Sequence, residues 1–207
     1  MKIESMSLGP LGTNCYIIYN GEDALIIDPG GDEEVVVEFL KDKSCTPKAI
    51  LLTHAHFDHI GAVDYLRKEY NIEVYLHQNE KEWLSEPNLN GSISFTQNPI
   101  SIEPPEKELS EGYLQIESFS FEVLFTPGHS PGSVCFVFED LGFVIGGDVL
   151  FKHGVGRTDL PGGSMEVLME SISEKLYKLN DSMIVYPGHG PSTTISNEKR
   201  VNPFVKG

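Results

Sequence analysis

The chain has 207 residues, 40% of them hydrophobic, and a formal charge of −16. That length fits one large domain or two small ones with a sizeable buried core. The acidity, with no basic block longer than Lys199-Arg200, argues against nucleic acid as a partner, because phosphate binding needs clustered Lys and Arg. The first residues lack a signal-peptide core, no apolar run reaches membrane-spanning length, and three cysteines without a C-x-x-C pair form no complete disulfide framework. These features set the expectation of a cytoplasmic protein with reduced, buried thiols and no membrane partner.

Residues 2–8 and 14–20 read as two strands joined by Gly9-Pro10-Leu11-Gly12, and Asn20-Gly21 marks a hairpin turn into a strand at 24–27. Asp28-Pro29-Gly30-Gly31 ends that strand, and a helix is predicted from Asp32 to Lys43, with Val36, Phe39 and Leu40 on one face. The buried strand Ala49–Leu52 runs into Thr53-His54-Ala55-His56-Phe57-Asp58-His59, and one helix is predicted from His59 to Tyr70. A strand at 73–76 and a short helix at 79–84 follow. Residues 85–111 hold four prolines and show weak periodicity, so they read as a long irregular excursion of the kind that forms lids or binding loops.

Strands resume at 113–116, 119–125, 133–138 and 142–145, followed by a helix from Ser164, a predicted N-cap, to Leu179 and a strand at 183–186. The apolar stripe of that helix is a core face. The two halves look alike, and Pro-Gly-His recurs at 127–129 and 187–189.

Side chains able to bind a metal follow the ends of four apolar strands: His54, His56, Asp58 and His59; His129; Asp148; and His189. In helix-covered sheets, sites collect at strand ends. Seven donors exceed one tetrahedral site. They fit two divalent ions about 3.5–4 Å apart, with His54 and His56 serving one, Asp58 and His59 the other, and Asp148 bridging through its two oxygens. Such ions turn water into hydroxide at neutral pH and stabilise an acyl oxyanion. Their charge attracts an anionic substrate despite the acidic chain. No G-x-S-x-G, G-x-G-x-x-G or P-loop motif is present, so water is the economical nucleophile. Asp28 has two readings: it orients a metal ligand, or it caps the helix beginning near Asp32. His77 and His153 stand apart and are read as non-ligands.

The T-H-x-H-x-D-H stretch at Thr53–His59, followed in order by His129, Asp148 and His189, resembles the metallo-β-lactamase fold superfamily over nearly the whole chain. The resemblance implies an α/β fold, a four-layer αββα sandwich of two pseudo-symmetric halves, here a single domain over residues 1–207. Within the superfamily the chain is similar to the glyoxalase II-like hydroxyacylglutathione hydrolases. His59 and Asp148 favour that branch over true β-lactamases, and Leu150-Phe151 with Gly154-Val155-Gly156-Arg157 resembles the segment after its bridging aspartate. The resemblance implies a small-molecule thioester substrate, two metal ions (zinc, with iron or manganese as the other metals such sites accept), Asp58 as a ligand that also orients the nucleophile, and Arg157 as a contact for the glutathione moiety. Asp159 replaces the family's aromatic glutathione contact, and its C-terminal helical domain has no counterpart here. The run Gly156–Pro161 also resembles persulfide dioxygenases of the same fold, which use one iron at the counterparts of His54, His129 and Asp148. A metallo-nuclease of this fold is a third class, against which the charge counts.

Overall fold

Ile3 pairs with Ile18 and Met6 with Cys15, so the Gly9–Gly12 turn closes the antiparallel ladder that its sequence predicts. In the computed structural model, which describes every residue from Met1 to Gly207, the chain divides into two compact units. The first comprises Met1–Leu109 with Gln115–Phe119, the second Ser110–Leu114 with Ser120–Gly207.

The first unit holds β1 (Lys2–Leu8), β2 (Thr13–Asn20), β3 (Asp23–Ile27), α1 (Glu33–Lys43), β4 (Thr46–Leu51), α2 (Phe57–Ile60), α3 (Val63–Tyr70), β5 (Glu73–His77), α4 (Ser92–Phe95) and β6 (Lys107–Leu109). The strands form one sheet in sequence order. β1, β2 and β3 are antiparallel, whereas β3, β4, β5 and β6 run parallel. A parallel pair needs a crossover, which α1 supplies between β3 and β4, and α2 with α3 between β4 and β5. Val36, Leu40, Val63 and Leu66 pack with Ile26, Ile50 and Val74 in one buried cluster.

Two expectations change in this unit. The single helix predicted from His59 is two, because the break at Gly61 brings the backbone against Pro29-Gly30-Gly31. Ala62 N donates to Pro29 O at 2.9 Å, and a Cβ on Gly61 would overlap Gly30 O. The excursion at 85–111 is ordered around Asn90, which is fully buried. Its Nδ2 donates to Trp83 O and Ile100 O, both at 2.9 Å, and its Oδ1 accepts from Ser92 N at 3.0 Å. The segment also holds the single turn of α4 and the three-residue β6, which pairs with β5, elements too short to show a periodicity in the sequence.

The second unit holds the first three residues of β7 (Gly112–Ile116), all but the first residue of β8 (Phe119–Phe125), β9 (Val134–Phe138), β10 (Phe143–Gly147), β11 (Leu150–Phe151), β12 (Gly154–Val155), α5 (Met165–Glu174), β13 (Ile184–Pro187), β14 (Thr193–Thr194) and α6 (Ile195–Val201). Its main sheet has the order β14-β13-β10-β9-β8-β7, and β11 and β12 form a small hairpin. β10 is parallel to β13 and antiparallel to β9, which is antiparallel to β8. The C-terminal ends of β8, β10 and β13 therefore share one edge of this sheet. Leu168, Ile172 and Leu176 pack on Val137, Val144 and Val185, as the helical stripe predicts. Ser164 caps α5 through Val167 N at 3.4 Å. The helix stops at Glu174, short of the predicted Leu179, and a 3-10 turn at Leu176–Lys178 continues it. Both units are sheets with helices on them, the mixed α/β class expected. No helix is long and apolar enough to cross a membrane, and Cys15, Cys45 and Cys135 are all buried thiols.

Candidate metal centre

In the first unit the parallel β3–β4 pair sets the geometry. Ile27 is in register with Leu51, and Asp28 N donates to Leu51 O at 3.1 Å. The residue after β3 thus faces the start of the histidine-rich loop after β4. Asp28 takes up a left-handed backbone, φ 51°, which aspartate tolerates better than most residues. Its Oδ1 accepts from Thr53 N at 2.8 Å and its Oδ2 from Thr53 Oγ1 at 2.7 Å. The same Oδ2 lies 3.0 Å from His59 Nδ1. Of the two readings of Asp28, contact with the histidine loop is the one found. The N-cap of α1 is Asp32, whose carboxylate accepts from Gly9 N at 2.7 Å rather than capping the helix.

These contacts assign ring protons. Thr53 spends its hydroxyl proton on Asp28, so at 3.0 Å from His54 Nδ1 its oxygen is the acceptor and His54 Nδ1 the donor. His54 then presents Nε2 as a ligand atom. The carboxylate beside His59 Nδ1 favours the same tautomer, and His59 Nε2 lies 3.7 Å from Asp58 Oδ2. Thr13 Oγ1 donates to that oxygen at 2.8 Å. The His54 ring lies 4.8 Å from His56 and 4.1 Å from His59, centroid to centroid. Ligand atoms of His54 and His56, and of Asp58 and His59, lie within 4.8 Å of each other. All four side chains are buried. Glu80, wholly buried, accepts from Ala55 N at 2.6 Å and so fixes the peptide between the first two histidines.

In the second unit three predicted donors meet at the shared strand edge. His129 Nε2 and His189 Nε2 each lie 3.6 Å from Asp148 Oδ2. Gly188 N donates to Gly147 O at 2.7 Å, which continues the β10–β13 ladder to the two donors. His129 Nδ1 is 2.7 Å from Arg157 O. A carbonyl only accepts, so Nδ1 carries the proton and Nε2 is the ligand atom. Gly156 makes this approach possible, since a Cβ there would overlap Asp148 O. The Arg157 side chain is turned to its own loop: Nε and Nη2 donate to Asp159 Oδ1 and Oδ2 at 2.7 and 2.8 Å.

His54 and His129 each combine an Nε2 with a hydrogen-bond acceptor behind Nδ1, the usual state of metal-ligating histidines, and His59 Nδ1 faces the Asp28 carboxylate at ion-pair distance. Nitrogen and carboxylate donors of this kind fit zinc, iron or manganese. His77 Nδ1 accepts from Asn79 N at 3.3 Å, burial pushes its pKa below the usual value, and His153 N donates to Glu198 Oε2 at 2.9 Å. Sequence reading missed Thr13 and Glu80. Neither carries a motif, and only the fold brings them to the loop. Thr53 was in view as part of the T-H-x-H stretch, although its relay role was not.

Comparison with known proteins identifies the family. The family model of the metallo-beta-lactamase superfamily matches residues 8–189. The chain is 48% identical to the probable metallo-hydrolase YqgX of Bacillus subtilis, over 100% of this chain and 99% of that one. It is 38% identical to the hydroxyacylglutathione hydrolase GloC of Haemophilus influenzae, over 99% and 98%. Among solved structures, the BLEG-1 B3 metallo-beta-lactamase superposes with a TM-score of 0.96 at 48% identity, covering 100% of both chains. TTHA1623 in a di-iron-bound form gives 0.89 at 39% identity, covering 98% of this chain and 100% of that one. The chain belongs to the metallo-beta-lactamase superfamily of metallo-hydrolases.

Proposed function

We propose that the chain is a binuclear metal-dependent thioesterase, acting on an S-2-hydroxyacyl thiol such as a hydroxyacylglutathione. In this reading the residues that would hold the metal are His54, His56, Asp58 and His59 of the first unit and His129, Asp148 and His189 of the second. Zinc is the proposed metal, and the di-iron form of TTHA1623 supports iron as the other. The observation that carries the reading is the hydrogen bonding behind Nδ1 of His54 and of His129, which leaves Nε2 for a metal in each unit. The 38% identity to GloC over nearly full length supports the substrate class.

When bound, the ions supply a nucleophilic hydroxide at neutral pH and positive charge for the carbonyl oxygen. The chain's own contribution is positional. Asp28 lies 3.0 Å from His59 Nδ1 and holds His54 through Thr53. Thr13 fixes one oxygen of Asp58, so that this carboxylate can orient the attacking water. The leaving group is a thiolate, whose ordinary pKa of about 8.5 lets it depart without prior protonation, so the reading requires no separate general acid.

Two other readings have specific support. The run Gly156–Pro161 supports a mononuclear iron persulfide dioxygenase, and likeness to BLEG-1 supports β-lactam hydrolysis. Metal-replete protein assayed in parallel on S-lactoylglutathione, a glutathione persulfide with oxygen uptake, and a chromogenic cephalosporin separates them. Thioester cleavage as the fastest reaction is the expected result. Absence of thioester cleavage at every metal loading rejects the reading.

A further inference from the structure

We propose that Asp159 sets the charge preference for the thiol carrier by filling the guanidinium fork of Arg157, an inference that rests on the thioesterase reading above. Arg157 is well placed to meet substrate. Its carbonyl holds His129, and the bare Gly156 before it lies against Asp148 and His129. Its side chain is half exposed, as is that of Asp159, at 52% and 68%. Nε and Nη2 make two near-parallel bonds to the two oxygens of Asp159. This is the geometry with which arginine grips the free carboxylate of a ligand. Here a carboxylate of the chain itself occupies that edge.

The loop that carries the pair is tied down on its far side. Gly163 N donates to Leu160 O at 3.0 Å and Ser164 N to Gly128 O at 2.8 Å, which ties the loop on the far side of Asp159 to the turn that bears His129. A Cβ on Gly163 would overlap Thr158 O, so the loop is also closed on itself. Hydrogen bonds from Arg157 hold the Asp159 carboxyl at about 2, so at neutral pH the pair carries no net charge. A carrier with a carboxylate must displace Asp159 and meets its negative charge. A carrier with an uncharged end meets neither obstacle.

The test compares wild type with Asp159→Asn by calorimetric binding of two uncleavable thioethers, S-methylglutathione (anionic) and S-methyl-N-acetylcysteamine (neutral). The expected result is about 1.5-fold to fivefold tighter binding of the anionic compound to Asp159→Asn, the range for an exposed charge pair, with no matching gain for the neutral one. Adding Arg157→Ala to Asp159→Asn removes the gain. In turnover, the ratio of kcat/KM for S-lactoylglutathione to that for S-lactoyl-N-acetylcysteamine rises in the same sense. A purely structural role moves both compounds together. Equal shifts, or no gain for the anionic compound (including binding too weak to measure in both proteins), overturn the proposal. Failure of wild type to cleave either thioester rejects the thioesterase reading instead, and the thioether comparison still decides the role of Asp159.

Discussion

Asp28 and His59 meet at the base of the histidine loop, with Oδ2 3.0 Å from Nδ1 and both side chains almost wholly buried. The same carboxylate accepts two bonds from Thr53. One residue at the end of β3 thereby positions two proposed ligands presented after β4. Asp28→Asn keeps the shape and tolerates the left-handed backbone, but loses the charge and one acceptor. Metal affinity is expected to fall about 10- to 100-fold, measured by competition with a chromophoric chelator. Unchanged affinity would mean that the carboxylate supports only the loop.

Gly156→Ala puts a methyl group into Asp148 O. The neighbour is backbone, so it cannot swing aside as a flexible side chain would. Overpacking of this kind costs about 1–3 kcal/mol, occasionally more, and the upper end is expected, read from the urea midpoint at constant slope. Because Asp148 and His129 border the glycine, metal affinity should fall in the same variant. A wild-type midpoint would show that the loop has room to move.

Asn90→Ala leaves the carbonyls of Trp83 and Ile100 without their shared donor. Trp83 O keeps Glu86 N at 3.2 Å and Ile100 O keeps Ser92 Oγ at 3.4 Å, so each lost bond costs about 0.5–1.5 kcal/mol. Phe57 N also donates to Asn90 O at 3.0 Å, which links the excursion to the first residue of α2. Faster amide exchange across residues 84–102 is the expected outcome. Uniform exchange throughout the chain would indicate global destabilisation instead.

Glu198 gives a pH signature unconnected with metal. Burial alone would raise its carboxyl, but hydrogen bonds from Thr193, His153 N, Asn202 and Asn197 outweigh that and hold it below its ordinary value of 4.5. A carboxyl lowered by folding contributes stability above the unfolded value and loses it as pH falls through the folded value. Glu198→Gln should therefore flatten the stability–pH curve below about 4.5 and leave the protein less stable at neutral pH by about 1–3 kcal/mol. Parallel curves for the two proteins would contradict this.

Much of this was legible before the structure. The apolar runs ending at Leu52, Phe125, Ile145 and Tyr186 locate the donors at strand ends, because strand period and Gly/Pro turns are local signals. Asp28 was visible as a polar residue after a buried strand, but its partner depends on β3 and β4 being parallel neighbours, which is a long-range fact. The break at Gly61 was hidden for the same reason: the helical pattern continues through it, and only contact with Pro29 and Gly30 interrupts it. The order in residues 85–111 rests on side-chain bonds from Asn90 and Ser92 and on elements too short to show a period. Arg157 could be singled out on its loop, while its capture by Asp159 required coordinates.

The most direct test is metal stoichiometry by elemental analysis on protein loaded with zinc or iron, paired with S-lactoylglutathione hydrolysis on the same samples. Two metal ions per chain, with hydrolysis rising as the second is filled, is the predicted result. A single tightly held iron, with persulfide-dependent oxygen uptake and no thioester cleavage, would contradict it.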